Sequence, residues 1–187
     1  MKRLYLVLAL SAAAAVPFTA SAADGISYNY VQGGYAATNT SGPDADGWSL
    51  GGSVAVHPKV HLFANYARQD IKHTAIDYDQ WRVGGGYNTQ VGSNTDFVAN
   101  AAYERVNAGG GVNADGYSVE GGVRSALARN LEGYAMVGYL DGNHLSGEPY
   151  GRLGATVKFN PNWGVNADVR VIKGGTTEWF VGPRFSW

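Results

Sequence analysis

Apolar and polar residues alternate with period two through almost the whole chain beyond residue 25, in ten segments of about ten residues each. The segments run 26–38, 47–57, 60–71, 79–89, 95–106, 116–127, 131–140, 150–159, 163–173 and 177–187. That length and period are those of tilted strands that cross a bilayer. Short turns follow the even-numbered segments: His57-Pro58-Lys59, Gln90 to Asn94, Ala128-Arg129-Asn130 and Asn160-Pro161-Asn162. Longer polar connectors follow most of the odd ones: Asn39 to Ala45, Lys72 to Tyr78, Ala108 to Ala114 and Asp141 to Gly147, with Gly174-Gly175 as a tight hairpin turn. Short turns on one side and long loops on the other are the asymmetry of outer-membrane barrels, and the short side is periplasmic. An even strand count then places both termini in the periplasm. The pattern predicts an all-β, antiparallel, up-and-down transmembrane barrel of ten strands. Merging the weakest segments, one and seven, with their neighbours would give eight.

The charged residues decide which face is which. Arg82, Glu104, Glu120, Arg124, Arg152, Lys158, Asp168, Arg170 and Arg184 all fall on one parity of their strands. Away from segment ends such as Asp79, Arg105 and Lys173, the other parity is uncharged and carries rows such as Trp81, Val83, Gly85, Tyr87 and Trp163, Val165, Ala167, Val169, Val171. An Arg or Lys facing lipid at the bilayer midplane costs about 2–4 kcal/mol, so the charged parity must line the lumen. A soluble sandwich would turn the same two faces the opposite way. The nine residues describe a mixed, basic-leaning interior. It reads either as a selectivity filter for small anions or as an ion-pair network that fills the space. Ten strands leave little more room than eight, whose interior side chains already fill, so a filled lumen is expected, with a narrow passive channel for small solutes or anions as the alternative.

One phrase recurs: an acid, then Trp or Tyr one or two places later, then a strand. The aromatics Trp48, Trp81, Tyr117, Tyr150 and Trp179 lie 33, 36, 33 and 29 residues apart, one hairpin per interval. Trp48, Trp81, Tyr117 and Trp179 share parity with the apolar rows, as aromatics at the outer interface should. Tyr150 is on the opposite parity from Leu153, so either a bulge follows Pro149 or this ring points inward. Trp187 belongs to the periplasmic interface. With Phe185 it forms the outward pair of a closing strand that resembles the signal read by the outer-membrane assembly machinery. Pro183 cannot donate to a ladder and predicts a bulge or a non-bonded position.

The ends and composition agree on compartment. Lys2 and Arg3, an apolar Leu4-to-Phe18 run and Ala20-Ser21-Ala22 read as a signal peptide over residues 1–22, leaving 23–187 as the barrel. The apolar run is too short for a spanning helix. There is no cysteine, so no disulfide or thiolate metal site can form. Without Lys2 and Arg3 the chain has 12 basic and 15 acidic residues, a balance that gives no general attraction to nucleic acid.

Several stretches together resemble one family. They are Ile26-Ser27-Tyr28-Asn29-Tyr30-Val31-Gln32-Gly33-Gly34-Tyr35, Asp79-Gln80-Trp81-Arg82-Val83-Gly84, Glu132-Gly133-Tyr134-Ala135-Met136, Tyr150-Gly151-Arg152-Leu153-Gly154-Ala155 and the Trp179-to-Trp187 segment. The family is the small outer-membrane barrels of xanthomonad-type bacteria, labelled sulfation-dependent quorum factor or activator of plant immunity. The resemblance implies an outer-membrane barrel and places the family's sulfated tyrosine at Tyr28. The position after Val31, commonly acidic in that family, is Gln32 here. From the residues alone, Tyr28 and Tyr30 fit an interfacial aromatic girdle near the periplasmic end of strand one.

No catalytic set emerges, and a non-enzymatic role is expected. His57 and His61 sit at a periplasmic turn and a strand start. His144-Leu145-Ser146 is similar to the His-x-Ser pair of lipid-A deacylases, but Gly147 stands where that pattern has Asn, and no orienting partner is evident. A lipid-A-modifying hydrolase is therefore the third reading. Asp44-Ala45-Asp46 and Asn113-Ala114-Asp115 lack the spacing of a calcium loop, and Gly109-Gly110-Gly111 lacks the lysine of a phosphate loop. No cofactor and no metal are expected. The expected partners are outer-membrane lipid and lipopolysaccharide, the assembly machinery, and a surface or host partner for the loops.

Overall fold

The computed structural model describes residues 25–72, 74, 77–109, 112–143 and 145–187. The expected signal peptide lies outside them. Ten strands follow one another: β1 Tyr30–Asn39, β2 Ala45–His57, β3 Val60–Ile71, β4 Asp77–Gly92, β5 Thr95–Ala108, β6 Val112–Ala128, β7 Leu131–Asn143, β8 Leu145–Lys158, β9 Trp163–Ile172 and β10 Thr176–Ser186. Each pairs antiparallel with the next, and β10 pairs with β1, so the sheet closes as an up-and-down barrel with no free edge. The strand count is ten, and the eight-stranded alternative is set aside.

Alternation places the side chains. Val83, Val119, Val137, Leu153 and Val181 are exposed on the outside, whereas Arg82, Glu120, Arg170 and Arg184 are buried inside. Two aromatic rings border the apolar belt. The outer ring includes Trp48, Tyr66, Trp81, Tyr103, Tyr117 and Trp179, with Tyr66 packing 5.3 Å from Trp48 and 4.3 Å from Trp81. The ring at the short-turn end, the side expected to be periplasmic, holds Phe159, Trp163, Phe185 and Trp187, where Trp163 and Phe185 lie 5.0 Å apart. Outward-facing charges such as Asp46, Arg68, Asp77, Arg105 and Asp115 occur beyond the outer ring, among them the pairs Arg68–Asp77 at 2.6 Å and Lys72–Asp46 at 3.3 Å. Apolar outside and charged inside is the arrangement of a barrel solvated by lipid.

Two expectations change, and one open alternative closes. Strand one begins at Tyr30 rather than residue 26: after Gly25, at φ +86°, residues 26–29 turn into the lumen instead of joining the wall. The outer loops are also shorter than expected, because β4, β6, β7 and β8 continue pairing past the aromatic ring. Ala108 pairs with Val112 and Gly142 with Leu145, through residues whose Asn, Asp and Gly content suggests loops. The asymmetry between the two sides therefore appears as wall height rather than loop length. Of the two alternatives for Tyr150, the inward ring holds: β8 pairs with β9 from Tyr150 to Lys158 without a register shift.

The closing seam explains Pro183. Gln32 pairs with Arg184 and Tyr35 with Val181 in one continuous register, and Pro183 faces outward at a position where no bulge is needed. Gly34 and Gly182 allow the two backbones to approach there: a Cβ on Gly34 would collide with the Val181 carbonyl oxygen.

Candidate functional site

The site is the lumen. All nine charged residues expected there point into it, and three more acids join them: Asp96, Glu132 and Glu178. Among the described residues, six basic side chains then face six acidic ones, so the interior is balanced and the basic-leaning expectation is corrected.

The charges are arranged as interlocked clusters. In the outer half, Arg170 makes a two-pronged contact with Glu104 at 3.0 and 3.2 Å and reaches Glu178 at 3.3 Å. Its guanidinium also lies 3.9 Å above the centre of the Tyr150 ring. At mid-height Arg82 bridges two acids, 3.2 Å from Glu104 and 3.1 Å from Glu120, as ion pairs without the angular geometry of hydrogen bonds. Glu120 is the hub. It accepts from Asn100 at 2.8 Å and from the Tyr150 hydroxyl at 3.0 Å, and Arg152 lies 3.5 Å away. Arg152 is held in turn by Asp168 at 2.9 Å, and Asp168 also accepts from the Tyr134 hydroxyl. In the periplasmic half Glu132 gathers Arg124 at 2.5 Å, Lys158 at 3.3 Å and Arg184 at 3.8 Å. Arg184 donates to the Gln32 side-chain oxygen Oε1 at 2.6 and 2.9 Å and stands 4.0 Å over the Tyr30 ring. Gln32 therefore serves as a neutral acceptor where the resembling family commonly has an acid.

Glycines in the wall make room for the inward rings. A Cβ on Gly138 would collide with the Tyr150 ring, and one on Gly154 with the Tyr134 ring. Each tyrosine lies over the bare backbone of its neighbour strand and directs its hydroxyl to an acid. In this way the glycine-rich composition and the inward aromatics are one packing device.

Tyr28 and Tyr30 do not belong to a girdle. Tyr28 is 2% exposed, stacks on His61 at 4.7 Å between ring centres, and donates to Asp96 at 3.0 Å. Burial pushes its hydroxyl pKa up, which keeps the phenol a donor. His61, at the start of β3 as expected, turns inside, within reach of Asn88 and Asn100. His73 and His144 lie outside the described residues. Asp44 and Asp46 are engaged by the Thr40 amide and Lys72, and no group of three metal-ligating side chains occurs among the described residues.

Two small cavities remain in this interior, about 100 Å³ in the outer half and about 70 Å³ in the periplasmic half. Gln32, Asn65, Arg82 and Arg152 border both.

No protein-family model and no curated protein matches the chain, so the resemblance to the quorum-factor barrels rests on the quoted residues alone. Among solved structures the chain is similar to the KdgM porin, at 12% identity over 84% of this chain and 99% of that one, with a TM-score of 0.47. It is also similar to the translocator domain of the autotransporter NalP from Neisseria meningitidis, at 10% identity, 88% and 90% coverage and a TM-score of 0.49. A third is Ail, the attachment invasion locus protein of Yersinia pestis, at 10% identity, 87% and 100% coverage and a TM-score of 0.42.

Proposed function

We propose that this chain is a bacterial outer-membrane β-barrel with a structural or surface-interaction role, exported by a cleaved signal peptide, whose lumen is a polar strut rather than a conduit for ions. The observation that carries this reading is the balanced ionic network. Six cations and six anions are spread over the height of the barrel, and Arg82, Glu120 and Arg152 cross its middle. An anion filter would need uncompensated positive charge along an open path; here every arginine of the lumen is paired to an acid or an amide oxygen.

The remaining surfaces support the same role. The apolar belt and its two aromatic rings fit acyl chains and headgroup level, with Phe185 and Trp187 as the outward pair the assembly machinery would read. The outward charges past the outer ring would meet lipopolysaccharide headgroups, and the short outer connectors are the surface left for a host or neighbouring-cell partner. Membership of the quorum-factor family is compatible with this role.

Planar-bilayer recording tests it. Folded protein is expected to give no discrete conductance steps in concentrated KCl. Regular steps of uniform size would replace the strut by the narrow-channel reading.

A further inference from the structure

The charges of the lumen are not evenly placed around the wall. All come from β4 to β10, while β1, β2 and β3 turn no acid, lysine or arginine inward and present groups such as Gln32, Ser53, Asn65 and Gln69. The ionic clusters therefore crowd toward one side. The outer cavity is bordered mainly by β1–β3 and β10, and the periplasmic one reaches from Ser53, His61 and Asn65 across to Arg124 and Tyr134. Each cavity also has a buried oxygen without a partner among the described residues, Gln69 Oε1 at the outer one and Ser53 Oγ at the periplasmic one. Buried polar oxygens in cavities of this size are satisfied by water. The two cavities, with Gln32, Asn65, Arg82 and Arg152 in the lining of both, make a wet seam within an otherwise filled barrel.

What closes it is the segment before β1. Residues 25–29 fold back into the periplasmic mouth and touch six strands. The Ala55 amide of β2 donates to Asn29 Oδ1 at 2.7 Å, and Tyr28 stacks on His61 of β3 and donates to Asp96 of β5. Arg124 of β6 donates to the Ser27 carbonyl at 2.8 Å while covering the Tyr28 ring at 4.6 Å. Lys158 of β8 donates to the Gly25 carbonyl at 2.5 Å, and Ser27 Oγ donates to the Trp187 carbonyl at 3.2 Å beyond the end of β10. Ile26 and Tyr28 complete a small apolar cluster with Ala55, Val98 and, from β7, Met136. The opposite end is crossed by the Tyr78 hydroxyl donating to Thr38 at 2.6 Å and by Gln80 donating to Glu178 at 3.0 Å.

We infer that residues 25–29 are an internal plug that gates this seam, and that the solutes admitted when it leaves are water and small uncharged polar molecules of the size of urea. The chemistry of the walls sets that class. A charged solute would have to displace an existing ion-pair partner, whereas an amide or hydroxyl solute can exchange with water along Gln32, Asn65 and Gln69. Removing the plug joins the periplasmic cavity to solvent and leaves the ionic clusters in place.

The inference rests on the membrane-barrel reading, and its test separates the two. Because the chain has no cysteine, Ile26→Cys is a single-site reporter. In full-length barrels folded in vesicles and verified by heat-modifiable gel mobility, the introduced thiol is expected to react with a charged maleimide at least tenfold more slowly than in urea-unfolded protein. Equal rates would overturn the plug. In the second arm, Tyr28→Ala barrels are expected to raise urea permeability in stopped-flow light scattering several-fold over wild type, with no ionic conductance. Folded Tyr28→Ala barrels as tight as wild type would overturn the gate. Protein that never inserts would instead sink the membrane-barrel reading itself.

Discussion

Glu120→Ala is expected to be the most destabilising single truncation in the lumen. The Glu120 side chain is 1% exposed and holds Arg82, Arg152, Asn100 and Tyr150 together at the middle of the barrel. Its loss leaves Arg82 with Glu104 alone and gives Arg152 only Asp168. Breaking a buried ion pair from one side costs about 3–5 kcal/mol, because the surviving charge stays in a site that no longer solvates it. Glu120→Gln keeps one acceptor oxygen, enough for Asn100 or Tyr150 but not both, so its cost should fall between wild type and Ala. Asp77→Asn, which breaks the exposed Arg68 pair outside the belt, should change stability little. Urea unfolding in vesicles, followed by tryptophan emission, ranks the three. A Glu120→Ala loss below about 1 kcal/mol would mean that the clusters are hydrated and not a strut.

Leu153→Arg is expected to lose about 2–4 kcal/mol, the cost of a guanidinium at the bilayer midplane. Leu153 is 59% exposed on the outer face of β8. It lies between Pro149, paired with Tyr139 near the outer ring, and Phe159 in the periplasmic ring. The side chain already points away from the protein, so in a water-soluble barrel the same substitution would be close to neutral. Asn107→Arg, outward but beyond the outer ring, is the matched control and should fold as well as wild type. The same vesicle-unfolding assay reads both, and equal stabilities for the two arginine variants would mean that Leu153 does not face lipid.

These two expectations depend on features that differ in how plainly the sequence carries them. The wall is legible because period-two alternation and the lipid penalty act on every residue: Arg82, Arg152 and Arg184 can occupy only one parity. The completeness of the network is not. Glu132 and Asp96 each sit one residue into a strand beside a turn, where a carboxylate is equally at home in water. Glu178 belongs to the acid-aromatic phrase, although its parity faces the lumen. The plug is hidden for a related reason: Ile26, Tyr28 and Tyr30 continue the alternation of β1 without a break. Periodicity reports an extended chain, not whether that chain pairs in the wall or lies inside it. Gly25 is the only local sign of the turn, and a glycine among 27 carries little weight.

The tryptophans give the most direct test of the barrel's placement in lipid. Trp48, Trp81 and Trp179 are exposed at the outer ring and Trp163 at the periplasmic one, where Trp187 stacks on Phe185. None lies between. In vesicles containing brominated lipids, quenching should therefore be strongest when bromine is near the headgroups and weakest when it is at the bilayer centre. Quenching that peaks at the centre, or no quenching by lipid at all, would contradict a barrel set in the membrane by two aromatic rings.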